Sequence, residues 1–195
     1  MMEKKIALAI TGASGSIYAK LLIERLLALK SQWREMAVVM SKNAATVWET
    51  ELSNKEYASY PLTYYDKYDF NAPIASGSAK YTDMLIVPCS MGTLGRIASG
   101  ISDDLVSRAA DVMLKERRNL ILGVRETPYN LIHIRNMETV TMAGGIICPL
   151  TPSFYSKPAT IDEVAMTVVH RLIDLLGLEQ GGFRWGAAGS AEEKK

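Results

Sequence analysis

The chain has 195 residues, enough to bury one sizeable core, and its 48% hydrophobic and 22% charged residues are those of an ordinary globular domain. A formal net charge of +1 excludes a broad electrostatic pull towards nucleic acid or an anionic membrane, so basic groups act locally and small molecules are the expected partners. No apolar run approaches the roughly 20 residues that a membrane span needs, and Met1–Lys5 carries charge in place of a secretory apolar core; a cytoplasmic location is the expectation.

Short apolar runs recur along the chain. Lys5–Ile10 reads as a buried strand and runs into Thr11-Gly12-Ala13-Ser14-Gly15, after which Ile17–Lys30 has helical spacing with Leu22, Leu26 and Leu29 on one side. At such a junction small residues let backbone N–H groups approach an anion, and the positive end of the helix dipole points at the same place, so a phosphate-bearing cofactor is expected here. Met36–Met40 is the next strand and ends in Ser41-Lys42. Asn54–Gly77, rich in Tyr and short polar residues, reads as a long insertion or lid rather than sheet. Met84–Pro88 leads to Ser90-Met91-Gly92-Thr93, and Asp104–Arg117 is a helix with Leu105, Ala109, Val112 and Met113 on its apolar side. Leu120–Val124 ends in Arg125-Glu126, and Gly145–Pro149 is followed by Thr151-Pro152 and then Phe154-Tyr155. After Gly177 the composition turns to Gly, Ala and charge; Gly186–Lys195 reads as a disordered tail, with Phe183-Arg184-Trp185 able to dock on the body or on a neighbouring subunit.

Continuous apolar strands alternating with helices predict an α/β fold: a single doubly wound, Rossmann-like or flavodoxin-like domain over residues 1–185, its parallel sheet covered by helices on both faces. In such sheets ligands bind beyond the carboxyl ends of the strands. Gly12-Ala13-Ser14, Ser41-Lys42, Ser90–Thr93, Arg125-Glu126 and Tyr155 all fall there. Each has a plain structural alternative. Ser41 and Ser90 suit helix N-caps, Arg125-Glu126 suits a surface ion pair worth at most about 1 kcal/mol, and Arg108 and Lys115, seven residues apart on one helix face, suit a solvated stripe. The same cations, with Arg125 and Arg171, would also suit a second phosphate, each charge-assisted bond contributing roughly 1.5 to 3 kcal/mol. Cys89 and Cys148 end apolar runs, which fits small buried residues better than a disulfide, and His133 and His170 lack partners at metal-ligand spacing.

Taken in order, TGASG, Ser41-Lys42, Ala75–Ser78, Pro88–Leu94, Arg108–Arg118, Arg125–Thr127, Ile132–Met137, Pro152–Tyr155 and Arg171 make the chain resemble the UbiX-type flavin prenyltransferases over about its first 185 residues. The resemblance implies transfer of a dimethylallyl group from dimethylallyl phosphate to N5 and C6 of reduced FMN, giving a prenylated cofactor with a fourth ring for a UbiD-type decarboxylase. It implies that Gly12, Ala13, Ser14, Ser41, Ser90, Met91, Gly92, Thr93 and Arg125 hold FMN. Lys115, Arg125, Tyr155 and Arg171 would hold the substrate phosphate, with Arg108 and Ser76 nearby. Glu126 would handle a proton on that phosphate, Glu51 and Ser14 the flavin ring protons, and Phe70 would face the allylic cation, though relatives often carry Trp at this position and indole is the stronger partner. Family members use no metal for this transfer, and side-chain cations stabilise the leaving monophosphate; they assemble as homo-oligomers, commonly dodecamers.

Two other classes share parts of this pattern. Flavin-dependent cysteine decarboxylases have a flavin-binding run like Ser90–Leu105, but they place a catalytic His shortly before the third strand and carry a PxMNxxMW segment; Asn43–Asp83 contains no His and the segment is absent. A non-catalytic flavin-carrying decarboxylase subunit would need the flavin pocket without Lys115, Tyr155 and Arg171.

Overall fold

The computed structural model describes residues 4–181, so Phe183-Arg184-Trp185 and the expected tail lie outside the described residues. Its strands are β1 (Lys4–Ile10), β2 (Trp33–Met40), β3 (Thr63–Tyr65), β4 (Asp83–Cys89), β5 (Asn119–Val124) and β6 (Ile146–Ile147). They form one sheet in the order β3-β2-β1-β4-β5-β6, every pair parallel. The helices are α1 (Ser16–Ala28), α2 (Lys42–Leu52), α3 (Met91–Ala98), α4 (Leu105–Lys115), α5 (Leu131–Met142) and α6 (Ile161–Leu175). This is the doubly wound arrangement that the alternating pattern predicts.

The central strands read as unbroken apolar runs because both of their faces are covered. Ile6, Leu8, Ile10, Val38 and Leu85 pack against α1, α6 and the Ala44 and Trp48 side of α2. Ala7, Ala9, Val39, Met84, Ile86 and Leu122 pack against α3, α4, the turn Ala72–Ala75 and Val140 of α5. The two helical layers therefore lie on opposite faces of the sheet, α4 on one and α6 on the other.

One element departs from expectation. Thr63–Tyr65 lies inside the stretch expected to hold no sheet, yet it pairs with β2 through Thr63–Ala37, Tyr64–Val38 and Tyr65–Val39. An edge strand three residues long has a single neighbour and needs no apolar run, so periodicity gives no sign of it. The rest of the insertion, up to Lys80, follows the expected irregular path with one-turn 3-10 helices at Pro73–Ala75 and Gly77–Ala79. The last apolar run, Gly145–Pro149, shortens to a two-residue strand at the other edge.

Trp48 anchors α2 to the body. Its side chain is fully buried, its Nε1–H donates to Asn54 Oδ1 at 2.9 Å, and Tyr57 meets it edge-on at 5.8 Å between ring centroids. Trp48→Ala should lower unfolding free energy by about 3–5 kcal/mol in a denaturant titration; a loss under about 1 kcal/mol would show that α2 is held by other contacts.

Candidate active site

The strand order reverses between β1 and β4, and the chain ends leaving these strands are tied together there. Thr11 Oγ1 donates to Pro88 O at 2.7 Å and accepts from the Ser90 N–H at 2.9 Å, while Ser41 N–H donates to Ile10 O at 3.0 Å. A cleft of about 750 Å³ opens over this junction. Gly12, Ser41, Ser90, Gly92 and Thr93 of the expected flavin set line it, together with Thr11, Lys42, Asn43 and Arg96. Its remaining wall is Met40 at the end of β2 and Asp66-Lys67-Tyr68 from the insertion, with Asp104 and Val106 of the α4 start. A Cβ on Gly12 would lie 2.6 Å from Asn43 Cβ, so only glycine lets the first turn come this close to the start of α2.

The capping alternative holds for both serines. Ser41 caps α2, accepting from Ala44 N–H at 3.1 Å, and Ser90 caps α3, accepting from Thr93 N–H at 3.3 Å. Both remain at the cleft, since a cap sits where a helix start faces the strand ends. Met91 instead packs into the core on the α3 side, and Ala13 and Ser14 lie in the first turn outside the cleft lining.

The N-terminus of α1 does not wait for a ligand's phosphate. Gly15, in a left-handed conformation at φ 118°, offers no side-chain cap, and the Glu51 carboxylate fills the place. It accepts from Gly15 N–H at 3.0 and 3.1 Å and from Ser16 N–H at 2.7 Å. Partial burial pushes the Glu51 carboxyl up, but the Ser14 hydroxyl, those two amides and the Ser16 hydroxyl outweigh it and hold the group below the usual carboxylate range. The anion at this dipole is thus the protein's own carboxylate, and the cleft's cations stand elsewhere: Lys42 at the start of α2, Arg96 in the last turn of α3 and Lys67 against the start of α4. Glu51 is no idle surface residue; its contact with a turn 35 or 36 residues earlier is a tertiary fact with no local signal.

Arg125 follows β5, its N–H donating to Cys89 O at 3.2 Å. Beside it stands Tyr18, which the sequence pattern does not single out. Tyr18 packs against Gly15, its hydroxyl lies 3.4 Å from Leu150 O, and burial raises its pKa although the Arg125 charge pulls it down. Glu126 is exposed, with Oε1 accepting from Thr127 N–H at 3.0 Å. Phe70 is 48% exposed and outside the cleft lining. Among the described residues no group of three or more His, Cys, Asp and Glu could hold a metal ion. No helix there is long and apolar enough to cross a membrane.

The expected substrate-phosphate residues sit on several different elements of the fold. Arg108 sits on α4, its Nε–H donating to Ala75 O at 3.1 Å and its Nη1–H to Asp111 Oδ2 at 3.1 Å. Lys115 ends the same helix at the amino edge of the sheet, paired with Glu116, whose carboxylate abuts Gly77 next to Ser76. Arg171 belongs to α6 on the opposite face, close enough to Cys148 for its charge to act on that thiol, and Tyr155 precedes α6 on an exposed loop. Arg108 and Lys115 on α4 and Arg171 on α6 are thus carried on helices that cover opposite faces of the sheet.

The chain matches the Flavoprotein family over residues 1–176. It is 43% identical over 185 residues to the flavin prenyltransferase UbiX of Methanocaldococcus jannaschii, covering 93% of this chain and 98% of the relative, and 42% identical over 189 residues to that of Aquifex aeolicus, again covering 93% and 98%. This chain belongs to the UbiX flavin prenyltransferase family. Among solved UbiX structures, AnUbiX (PadA1) in complex with FMN and dimethylallyl pyrophosphate is 41% identical with a TM-score of 0.81, covering 93% of this chain and all of that one. The dodecameric FMN-dependent UbiX-like decarboxylase of Escherichia coli O157:H7 is 38% identical with a TM-score of 0.87, covering 93% and 98%. A PPC decarboxylase, 18% identical with a TM-score of 0.58, shares the fold alone.

In this UbiX-family chain the Glu51 clamp should be pH-dependent. A carboxyl held below its unfolded value stabilises the fold above that value, and the contribution fades as pH falls through the folded-state pKa. Glu51→Gln should lower the melting temperature at pH 7, and the gap from the parent should close on acidification below the usual carboxylate range; a gap constant from pH 7 to pH 3 would contradict the charge-assisted clamp.

Proposed function

We propose that the chain is a flavin prenyltransferase that binds reduced FMN in the cleft at the β1/β4 crossing and transfers a dimethylallyl group to it from dimethylallyl phosphate. The observation that carries this is the cleft itself. Its size falls in the range of about 300–1,000 Å³ typical of cofactor sites, and a bare glycine turn, two helix starts and the cations Lys42 and Arg96 line it, a donor set suited to an anionic tail. Family membership and the AnUbiX complex with FMN and dimethylallyl pyrophosphate support the same reading.

Reduced FMN supplies the electron-rich ring that accepts the alkyl group. The chain's own work is to hold the two reactants together and to stabilise the departing phosphate with Arg125, Tyr155, Arg171 and Lys115, Arg108 standing near. Glu126, next to Arg125, takes the proton role on that phosphate. Glu51 is ionised at neutral pH and touches the Ser14 turn, which suits it to accept a proton through Ser14 rather than to donate one. Phe70 offers a ring face to a developing cation, and Ser76 borders the α4 side of the site.

Because α4 and α6 lie on opposite faces, the reading requires that Lys115 and Arg108 of one copy complete the site of another. Apolar residues left in the open on α5, Leu131, Ile132, Ile134 and Met142, supply surface for such contacts, and the E. coli relative is dodecameric. The product serves a UbiD-type decarboxylase in the cytoplasm.

Anaerobic incubation of the FMN-reduced protein with dimethylallyl phosphate should add one five-carbon unit to the flavin by mass analysis. Tight FMN binding with no added mass would favour a non-catalytic carrier. Lys115→Ala and Arg171→Ala proteins, each inactive alone, should regain roughly a quarter of parental activity when denatured and refolded together in equal amounts. No recovery in mixed oligomers would mean that both residues serve one subunit.

A further inference from the structure

The strand ends and helix starts around the cleft are bound into the sheet, but the wall formed by residues 66–68 belongs to a loop that runs on through Phe70. Asp66, Tyr68 and Phe70 are exposed. Within the loop, Tyr68 N–H donates to Asp66 Oδ1 at 2.8 Å and Asn71 N–H to Asp69 Oδ1 at 3.0 Å, which shapes the segment without attaching it to anything. Lys67 supplies two ties to the body, both to the start of α4. Its carbonyl accepts from Leu105 N–H at 2.7 Å, and its ammonium lies 3.0 Å from Asp104 Oδ2.

Asp104 is built to hold that cation. It is 2% exposed, its Oδ1 caps α4 by accepting from Ser107 N–H at 2.8 Å, and its Oδ2 is left to meet Lys67, with Arg96 of α3 at 3.6 Å. One carboxylate thus joins the loop, α3 and α4 at the rim of the cleft. A pair with one partner buried is harder to open than a surface pair, because parting it leaves a charge behind in a poorly solvated place. We propose that the Lys67–Asp104 ion pair latches residues 66–70 as a strap across the flavin cleft, and that opening of this latch sets the rate at which flavin leaves.

Lys67 and Asp104 are positioning residues here: they fix the wall, and the strap rather than the chemistry feels their loss. The inference rests on the reading of the cleft as the flavin site. For a transferase whose product is a modified cofactor destined for another protein, a releasable wall gives the cofactor a way out that leaves the sheet intact.

The test uses the FMN-loaded protein with Asp104→Asn, Lys67→Met and the pair combined. Asn caps a helix as well as Asp, so Asp104→Asn removes the charge and keeps the cap; Met keeps most of the apolar stem of Lys67. Each single variant should release FMN about tenfold faster in stopped-flow fluorescence with little change in association rate, and the double variant should release it no faster than either single. Hydrogen exchange should quicken at residues 66–72 while residues 106–115 stay protected as in the parent. Release at the parental rate, additive effects, or exchange spreading through α4 would each overturn the latch. Failure of the parent protein to bind FMN would sink the cleft reading and the latch with it, whereas tight binding with unchanged release in all variants sinks the latch alone.

Discussion

A sheet whose strands all run the same way has one edge at which every strand finishes, and the chain must return across a face to begin the next. That constraint governs the molecule. It brings Thr11, Gly12, Ser41, Ser90 and Arg125 to one edge from segments as far as 114 residues apart, counting from Thr11 to Arg125. It also sends α4 and α6 back over opposite faces, so the cations carried on these helices belong to different layers. The same geometry that assembles the cleft puts α4 and α6 on different faces, which is why the proposed second phosphate site draws on more than one copy.

The first turn shows how local electrostatics refine this plan. A glycine at positive φ opens α1 without a capping side chain, leaving first-turn amides that need an acceptor. Glu51 reaches across from α2 to provide one, and in doing so ties α1 to α2 beside the cleft. With that helix end neutralised from within, the cations that line the cleft are Lys42, Arg96 and Lys67, the last two drawn to Asp104. The geometry separates two jobs that a glycine-rich turn alone would merge: Gly12 allows close approach, while charge comes from elsewhere.

What could be read in the chain follows from the range of the forces involved. Apolar runs such as Lys5–Ile10 and Leu120–Val124 declare buried strands because burial on both faces imposes composition locally. Ser41 and Ser90 are legible as caps because capping acts within three residues. β3 was hidden because an edge strand of three residues imposes almost nothing on its sequence. Tyr18 beside Arg125, Glu51 on the α1 amides and Lys67 against Asp104 are hidden for another reason: each joins segments 35 or more residues apart, and neither spacing nor composition encodes such a pairing. The strand end supplied Arg125 and the resemblance supplied Glu51 as names; neither supplied what each one touches.

The placing of α4 and α6 on opposite faces bears on how activity and assembly are linked. Met142 is 84% exposed and Ile132 67%, so a lone subunit carries apolar surface that association would bury. If the same association delivers Lys115 to the site of a neighbour, burial of α5 and completion of the phosphate site become one event. A dispersed chain would then retain its flavin cleft, made by β1, β4 and the starts of α2 and α3, but lack the charge needed to stabilise a leaving phosphate. Cofactor binding would depend on the fold of one chain and alkyl transfer on the company it keeps, a division that follows from where a parallel sheet puts its helices.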